Sequence, residues 1–159
     1  MKMLIALLGV LVAGVVNAQL SVETVGAVKL VGFGERELGA GVGVSWKFND
    51  RFAVDGRALT YRDAGCNGAW RSSVVDEAGA LLRVTLYSNK RFSLATVTGA
   101  YRDFNSDKWG FGAGPRVDFV IAKNLSFKLQ SEVQTWFKDE NNNRAKSLLT
   151  TGGLVYSFR

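Results

Sequence analysis

A chain of 159 residues, 47% hydrophobic and 21% charged, has the length of one domain and too much apolar content for a disordered tail. A single cysteine excludes a disulfide scaffold or a cysteine zinc cage. The absence of histidine removes the central residue of Ser-His-Asp and Cys-His catalysis and of the usual metal sites, so no catalytic, cofactor or metal residue is assigned. The net charge of +6 comes without a basic run, which speaks for solvation, interior filling and attraction to an anionic surface, and against nucleic acid.

Residues 1–18, MKMLIALLGVLVAGVVNA, carry Lys2, an apolar stretch from Leu4 to Val16 and the small-residue end Val16-Asn17-Ala18. This is the pattern of a cleavable signal peptide, and the apolar stretch is short for a span that needs about 20 residues. No cysteine stands at the junction, so a lipoprotein anchor is not expected. The expected mature domain is residues 19–159, exported from the cytoplasm.

From there on, apolar and polar residues alternate with period two, the signal of strands. A first strand is expected near 22–33. The second, 38–48, sets Leu38, Ala40, Val42, Val44, Trp46 and Phe48 against Gly39, Gly41, Gly43, Ser45 and Lys47. The third and fourth fall near 52–61 and 78–88. The fifth, 92–101, divides Phe92, Leu94, Thr96, Thr98 and Ala100 from Ser93, Ala95, Val97, Gly99 and Tyr101 without showing which face points in. The sixth, 109–121, opposes Trp109, Phe111, Ala113, Val117, Phe119 and Ile121 to Gly110, Gly112, Gly114, Arg116 and Asp118. The seventh, 125–137, opposes Leu125, Phe127, Leu129, Val133 and Phe137 to a polar face from Ser126 to Gln134 that ends in Trp136. The eighth lies near 147–158.

Short turns at 49–51, 89–91 and 123–124 alternate with longer connections at 34–37, 62–77, 102–108 and 138–146. About ten residues per strand, short turns at one end and longer loops at the other are the pattern of a membrane-spanning barrel. A soluble lipocalin-like barrel binding an apolar ligand is the alternative, with its apolar face turned inward. Three features favour the inverted arrangement. Aromatics gather at both strand ends: Trp46, Phe48, Phe52, Phe92, Phe127 and Phe158 toward the turns, and Phe33, Tyr61, Tyr101, Trp109, Phe111 and Phe137 toward the loops. Glycines 39, 41, 43, 110, 112 and 114 leave room inside for long side chains. Mid-strand charges fall on the face opposite the aliphatics, which assigns Lys29, Lys47, Asp55, Arg57, Arg83, Arg116, Asp118, Lys128 and Glu132 to the interior.

The signal peptide, the eight alternating strands and the ending Gly152-Gly-Leu-Val-Tyr-Ser-Phe158 resemble the small outer-membrane barrels of the OmpX and OmpA-transmembrane-domain type. The resemblance implies an eight-stranded antiparallel up-and-down transmembrane barrel. It also implies that Leu154, Tyr156 and Phe158 present the strand that outer-membrane assembly machinery reads, although Arg159 follows the last aromatic. Pro115 is expected at a bulge or above the membrane, because it cannot donate to a ladder.

The interior set holds six bases and three acids, so Arg57, Arg83 and Arg116 are expected to pair with Asp55, Asp118 or Glu132, and any conductance through a narrow channel is expected to be low and mildly anion-preferring. Barrels of this size that are lipid A palmitoyltransferases or deacylases use a catalytic histidine, which this chain lacks. Ser72 and Ser73 have no base, and the adjacent carboxylates Asp76–Glu77 and Asp139–Glu140 are expected to be solvated. The remaining role is structural or surface-interactive and adhesin-like. It would run through loops with Cys66 and Trp70 as possible contacts, toward a host or cell-surface partner. Lys108, Lys138, Arg144 and Lys146 face the phosphates of outer-membrane lipid and lipopolysaccharide or merely flank the apolar band. A monomer in a bacterial outer membrane is expected.

Overall fold

The computed structural model describes residues 19–32, 34–63, 75–137 and 146–158. Eight strands follow one another: β1 (Gln19–Val31), β2 (Glu35–Lys47), β3 (Phe52–Asp63), β4 (Glu77–Ser88), β5 (Phe92–Asp103), β6 (Lys108–Ala122), β7 (Leu125–Trp136) and β8 (Lys146–Ser157). Each pairs antiparallel with the next, and β8 closes on β1, giving the expected up-and-down barrel. The signal-peptide region, Phe33, residues 64–74, residues 138–145 and Arg159 lie outside the described residues, and with them Cys66, Trp70 and the Asp139–Glu140 pair.

Two connections are shorter than the sequence suggested. Glu35–Glu37 belong to β2, because the β1–β2 ladder continues through Lys29↔Glu37 to Val31↔Glu35, leaving a tight turn at Gly32 with φ of 56°. Likewise β5 runs on to Asp103, whose carboxylate accepts from the amides of Asn105 and Ser106 at 2.9 and 3.0 Å. Polar residues prolong both ladders beyond the apolar band, so hydropathy alternation could not reveal them. At the opposite end Asn49 and Asn89 build the same turn. Each side-chain oxygen accepts amides two and three residues on, at 2.8 and 2.9 Å.

Tracing partners around the ladder from Ser21 through Ser45, Asp55, Leu81, Gly99, Gly112, Gln134 and Ser147 returns to β1 at Val31. The offset, 31 − 21 = 10 residues, is the shear of the barrel. With ordinary strand spacing and rise it tilts the strands by about 40°. A strand of 12 residues then rises about 30 Å along the axis, the thickness of a hydrocarbon core.

The barrel is inverted relative to a soluble one. Val42, Val44, Leu129 and Val133 are 48–63% exposed on the outside, whereas Arg57 and Glu132 are 5% and 1% exposed inside. Exposed Phe92 and Leu94 against buried Ala95 and Val97 settle the facing of β5. Trp46 and Phe48, Tyr87 and Phe92, and Tyr156 and Phe158 pack as ring pairs 5.2–5.5 Å apart at the turn end. The loop end carries Phe104, Trp109, Phe111 and Phe137.

Tyr61 and Tyr101, expected in the loop-side girdle, instead point inward. Their parity places them on the same faces as Arg57 and Val97, and their hydroxyls find buried partners there. Pro115 is neither above the band nor at a bulge. It pairs with Thr96 in mid-β6, and the β6–β7 ladder lapses between Ala113↔Val133 and Arg116↔Gln130, where its missing N–H would have fallen.

Candidate functional site

The chemistry of this molecule is gathered inside the barrel, and alternation alone puts it there: every second residue of a strand projects inward. Arg116 on β6 is the hub nearest the turn end. Its Nε and Nη2 donate to Asp118 at 2.7–3.1 Å, and its Nη1 donates to Asp55 Oδ2 at 3.0 Å and lies 3.7 Å from Glu23 Oε2. Glu23 also receives Lys128. Arg83 donates to Ser45 Oγ at 2.9 Å and stands 3.7 Å from Asp55 Oδ1.

One layer toward the loops, Arg57 Nη1 lies 2.9 Å from Glu132 Oε1 and its Nη2 donates to the Tyr101 hydroxyl at 2.9 Å. Tyr101 and Gln130 both donate to Glu132. The last layer centres on Glu77, which accepts from Lys29 at 2.7 Å, Gln134 at 2.8 Å and Tyr61 at 3.2 Å. The Lys29 ammonium sits 5.0 and 4.8 Å from the ring centres of Tyr61 and Trp136, so two aromatic faces and one carboxylate enclose it. Charges so far from water are tolerable only because each is paired and hydrogen-bonded.

Three sequence-based expectations need correction. Asp76 and Glu77 are buried, not solvated. Glu77 belongs to the network, and Asp76 accepts from the Tyr61 amide at 2.6 Å, Thr60 at 3.0 Å and Asn105 at 2.7 Å, which ties the foot of the 64–74 connection to the β5–β6 turn. Lys47 is not an interior cation but sits at the turn-side mouth, paired with Asp50 at 3.1 Å. The interior is therefore not basic. Lys29, Arg57, Arg83, Arg116 and Lys128 meet Glu23, Asp55, Glu77, Asp118 and Glu132, five against five, and Glu37 adds a further buried acid on the inward face of β2. This removes the ground for an anion-preferring lumen. Glu23 and Glu77 were missed although parity with Lys29 and Arg83 would have found both.

Glycines make the space these side chains use. A Cβ on Gly112 would lie 2.7 Å from Tyr101 Cε2, and one on Gly79 would lie 2.6 Å from Cδ1 of the same ring. Gly112→Val is therefore expected to cost about 1–3 kcal/mol. Urea unfolding of the refolded protein in detergent checks this, and the cost should shrink in a Tyr101→Ala background, where the obstructing ring is gone.

On the outer surface Leu154, Tyr156 and Phe158 form one exposed row at the end of β8. Lys108 and Lys146 begin β6 and β8 at the loop end. Among the described residues no group of three or more His, Cys, Asp and Glu side chains is arranged to hold a metal ion.

No protein-family model and no curated protein matches the chain. Solved structures do. The chain is similar to Neisserial surface protein A (11% identity, TM-score 0.60, covering 89% of this chain and 97% of that one). It is similar to the N-terminal β-barrel domain of Pseudomonas aeruginosa OprF (14%, 0.59, covering 89% and 100%). It is also similar to Ail, the attachment invasion locus protein of Yersinia pestis (18%, 0.50, covering 89% and 97%). At such identities the likeness establishes the fold, that of the small eight-stranded outer-membrane barrels, and leaves the role to the residues.

Proposed function

We propose that the protein is an integral barrel of a bacterial outer membrane, held rigid by a polar interior and acting at its loop end as an envelope scaffold or attachment protein. The observation that carries this reading is the inversion of the barrel: aliphatic side chains outside and paired ions within. Its height of about 30 Å matches a hydrocarbon core, and aromatic rows mark both boundaries. Short turns belong to the periplasmic side and the 64–74 and 138–145 connections to the cell surface.

The name of Ail as an attachment protein supports surface interaction as the use of such loops. Lys108, Lys138, Arg144 and Lys146 would meet lipopolysaccharide phosphates, and Leu154, Tyr156 and Phe158 the assembly machinery. The barrel acts as a monomer and without catalysis, having no histidine. A conducting pore is the weaker reading, because Tyr61, Tyr101, Gln130, Gln134 and Glu132 fill the loop-side half.

Labelling of Cys66 on intact cells with a membrane-impermeant maleimide tests location and orientation together. Labelling without permeabilisation, and recovery only with detergent, are expected. A mature protein that stays soluble without detergent would favour the lipocalin-like alternative. Cell-binding assays on variants lacking residues 64–74 then separate attachment from scaffolding.

A further inference from the structure

The interior is divided into two unlike halves. Toward the loops it is closed by aromatic, amide and aliphatic side chains, among them Tyr61, Tyr101, Trp136 and Leu149. Toward the turns it is a vestibule of about 180 Å³ whose floor is Arg83, Arg116 and Asp118. Its wall carries hydroxyls from six strands: Ser21, Ser45, Thr85, Ser93, Ser126 and Ser157. Gln19, Asp50 and Asn89 stand at the mouth, so the vestibule opens between the turns.

The two guanidinium groups of the floor are not equally committed. Every nitrogen of Arg116 has a carboxylate partner in Asp118 or Asp55, and its three bonds to Asp118 occupy both oxygens of that carboxylate. Arg83 has one hydroxyl partner, Ser45, and a carboxylate only at 3.7 Å, while its side chain keeps 13% of its exposure. A guanidinium has five donors in a planar fork. Around the vestibule Lys47, Arg83 and Arg116 face Asp50, Asp118 and the Asp55 that both arginines share, so the fixed charges balance and what remains open is the unused edge of the Arg83 fork. A partly used guanidinium fork ringed by hydroxyl donors is the arrangement that recognises an oxyanion.

We propose that the turn-side vestibule binds a small tetrahedral oxyanion, phosphate or sulfate, with Arg83 as its principal ligand and the Ser45 and Ser93 hydroxyls beside it. The anion takes the free edge of the Arg83 fork, so the buried network beneath keeps its pairs. This site depends on the barrel interior and not on the surface role, so either can fail alone.

The test is titration of the refolded, isotope-labelled protein in an uncharged glucoside detergent with sodium phosphate and sodium sulfate, chloride held constant. Amide shifts that saturate and cluster around Ser45, Arg83 and Ser93 are expected. Arg83→Gln should weaken binding about tenfold or more. Ser45→Asp, which offers Arg83 a carboxylate of its own, should abolish it while the barrel keeps its heat-modifiable migration on gels. Competition by a phosphocholine detergent assigns the anion to a lipid headgroup, and its absence to free phosphate. Acetate binding as tightly as phosphate would overturn the tetrahedral assignment. Shifts that never saturate and spread over Arg51, Lys90, Arg91 and Lys123, or equal affinity in both variants, would overturn the site.

Discussion

Arg116→Met is expected to lower the unfolding free energy by about 3–5 kcal/mol, the usual result of removing one member of a buried ionic cluster. Arg116 is 1% exposed and compensates Asp118, Asp55 and, at longer range, Glu23. Without it Asp118 loses its hydrogen-bonded cation, and Asp55 keeps only Arg83 at 3.7 Å. Methionine fills most of the volume, so the loss reports charge rather than a cavity. Urea unfolding in detergent, followed by tryptophan fluorescence, should show a lower midpoint with an unchanged slope. Asp118→Asn in the Arg116→Met background should recover part of the loss, since it removes one stranded carboxylate. A cost below about 1 kcal/mol would mean that water solvates this cluster as it does an exposed pair.

The same residues show how much of the molecule could be read from alternation. Strand count, closure and the direction of each aliphatic face follow from period two, because side-chain direction in a strand has no other freedom. Lys29, Asp55, Arg57, Arg83, Arg116, Lys128 and Glu132 lie on the inward face for that reason alone. Where position along a strand and parity disagree, parity decides the direction of the side chain. Tyr61 and Tyr101 lie near strand ends, where a girdle is expected, yet they share a face with Arg57 and Val97 and bond to Glu77 and Glu132. Glu77 reads with its neighbour Asp76 as a solvated pair, yet Arg83 six residues on fixes its direction inward. Lys47 obeys parity, but depth decided its environment: it stands at the mouth, within reach of water and Asp50. Partner choice among five bases and five acids was beyond the sequence, because it depends on the shear that brings Arg116 to Asp55 across the barrel.

Depth also sets the second large effect. Val42→Arg is expected to cost about 2–4 kcal/mol in bilayer vesicles, because Val42 is central in β2 and a guanidinium there must leave water for acyl chains. In a water-soluble barrel the same change at so exposed a position would fall within about 0.5 kcal/mol of neutral. Leu129→Arg on β7 should cost a similar amount. The two sites are separated by β1 and β8, about 14 Å along the sheet, so their effects should add to about 4–8 kcal/mol. Leu38→Arg, near the loop-side boundary and paired across the ladder with Arg62, should cost at most about 1 kcal/mol because its side chain reaches the interface. Folding yields into vesicles and urea midpoints measure the series. A steep fall from Leu38 to Val42 can come only from a hydrocarbon layer around the barrel, since crowding within a strand would not vary with depth. Equal, small costs at all three positions would put Val42 and Leu129 in water and make the apolar exterior a binding face of some other kind.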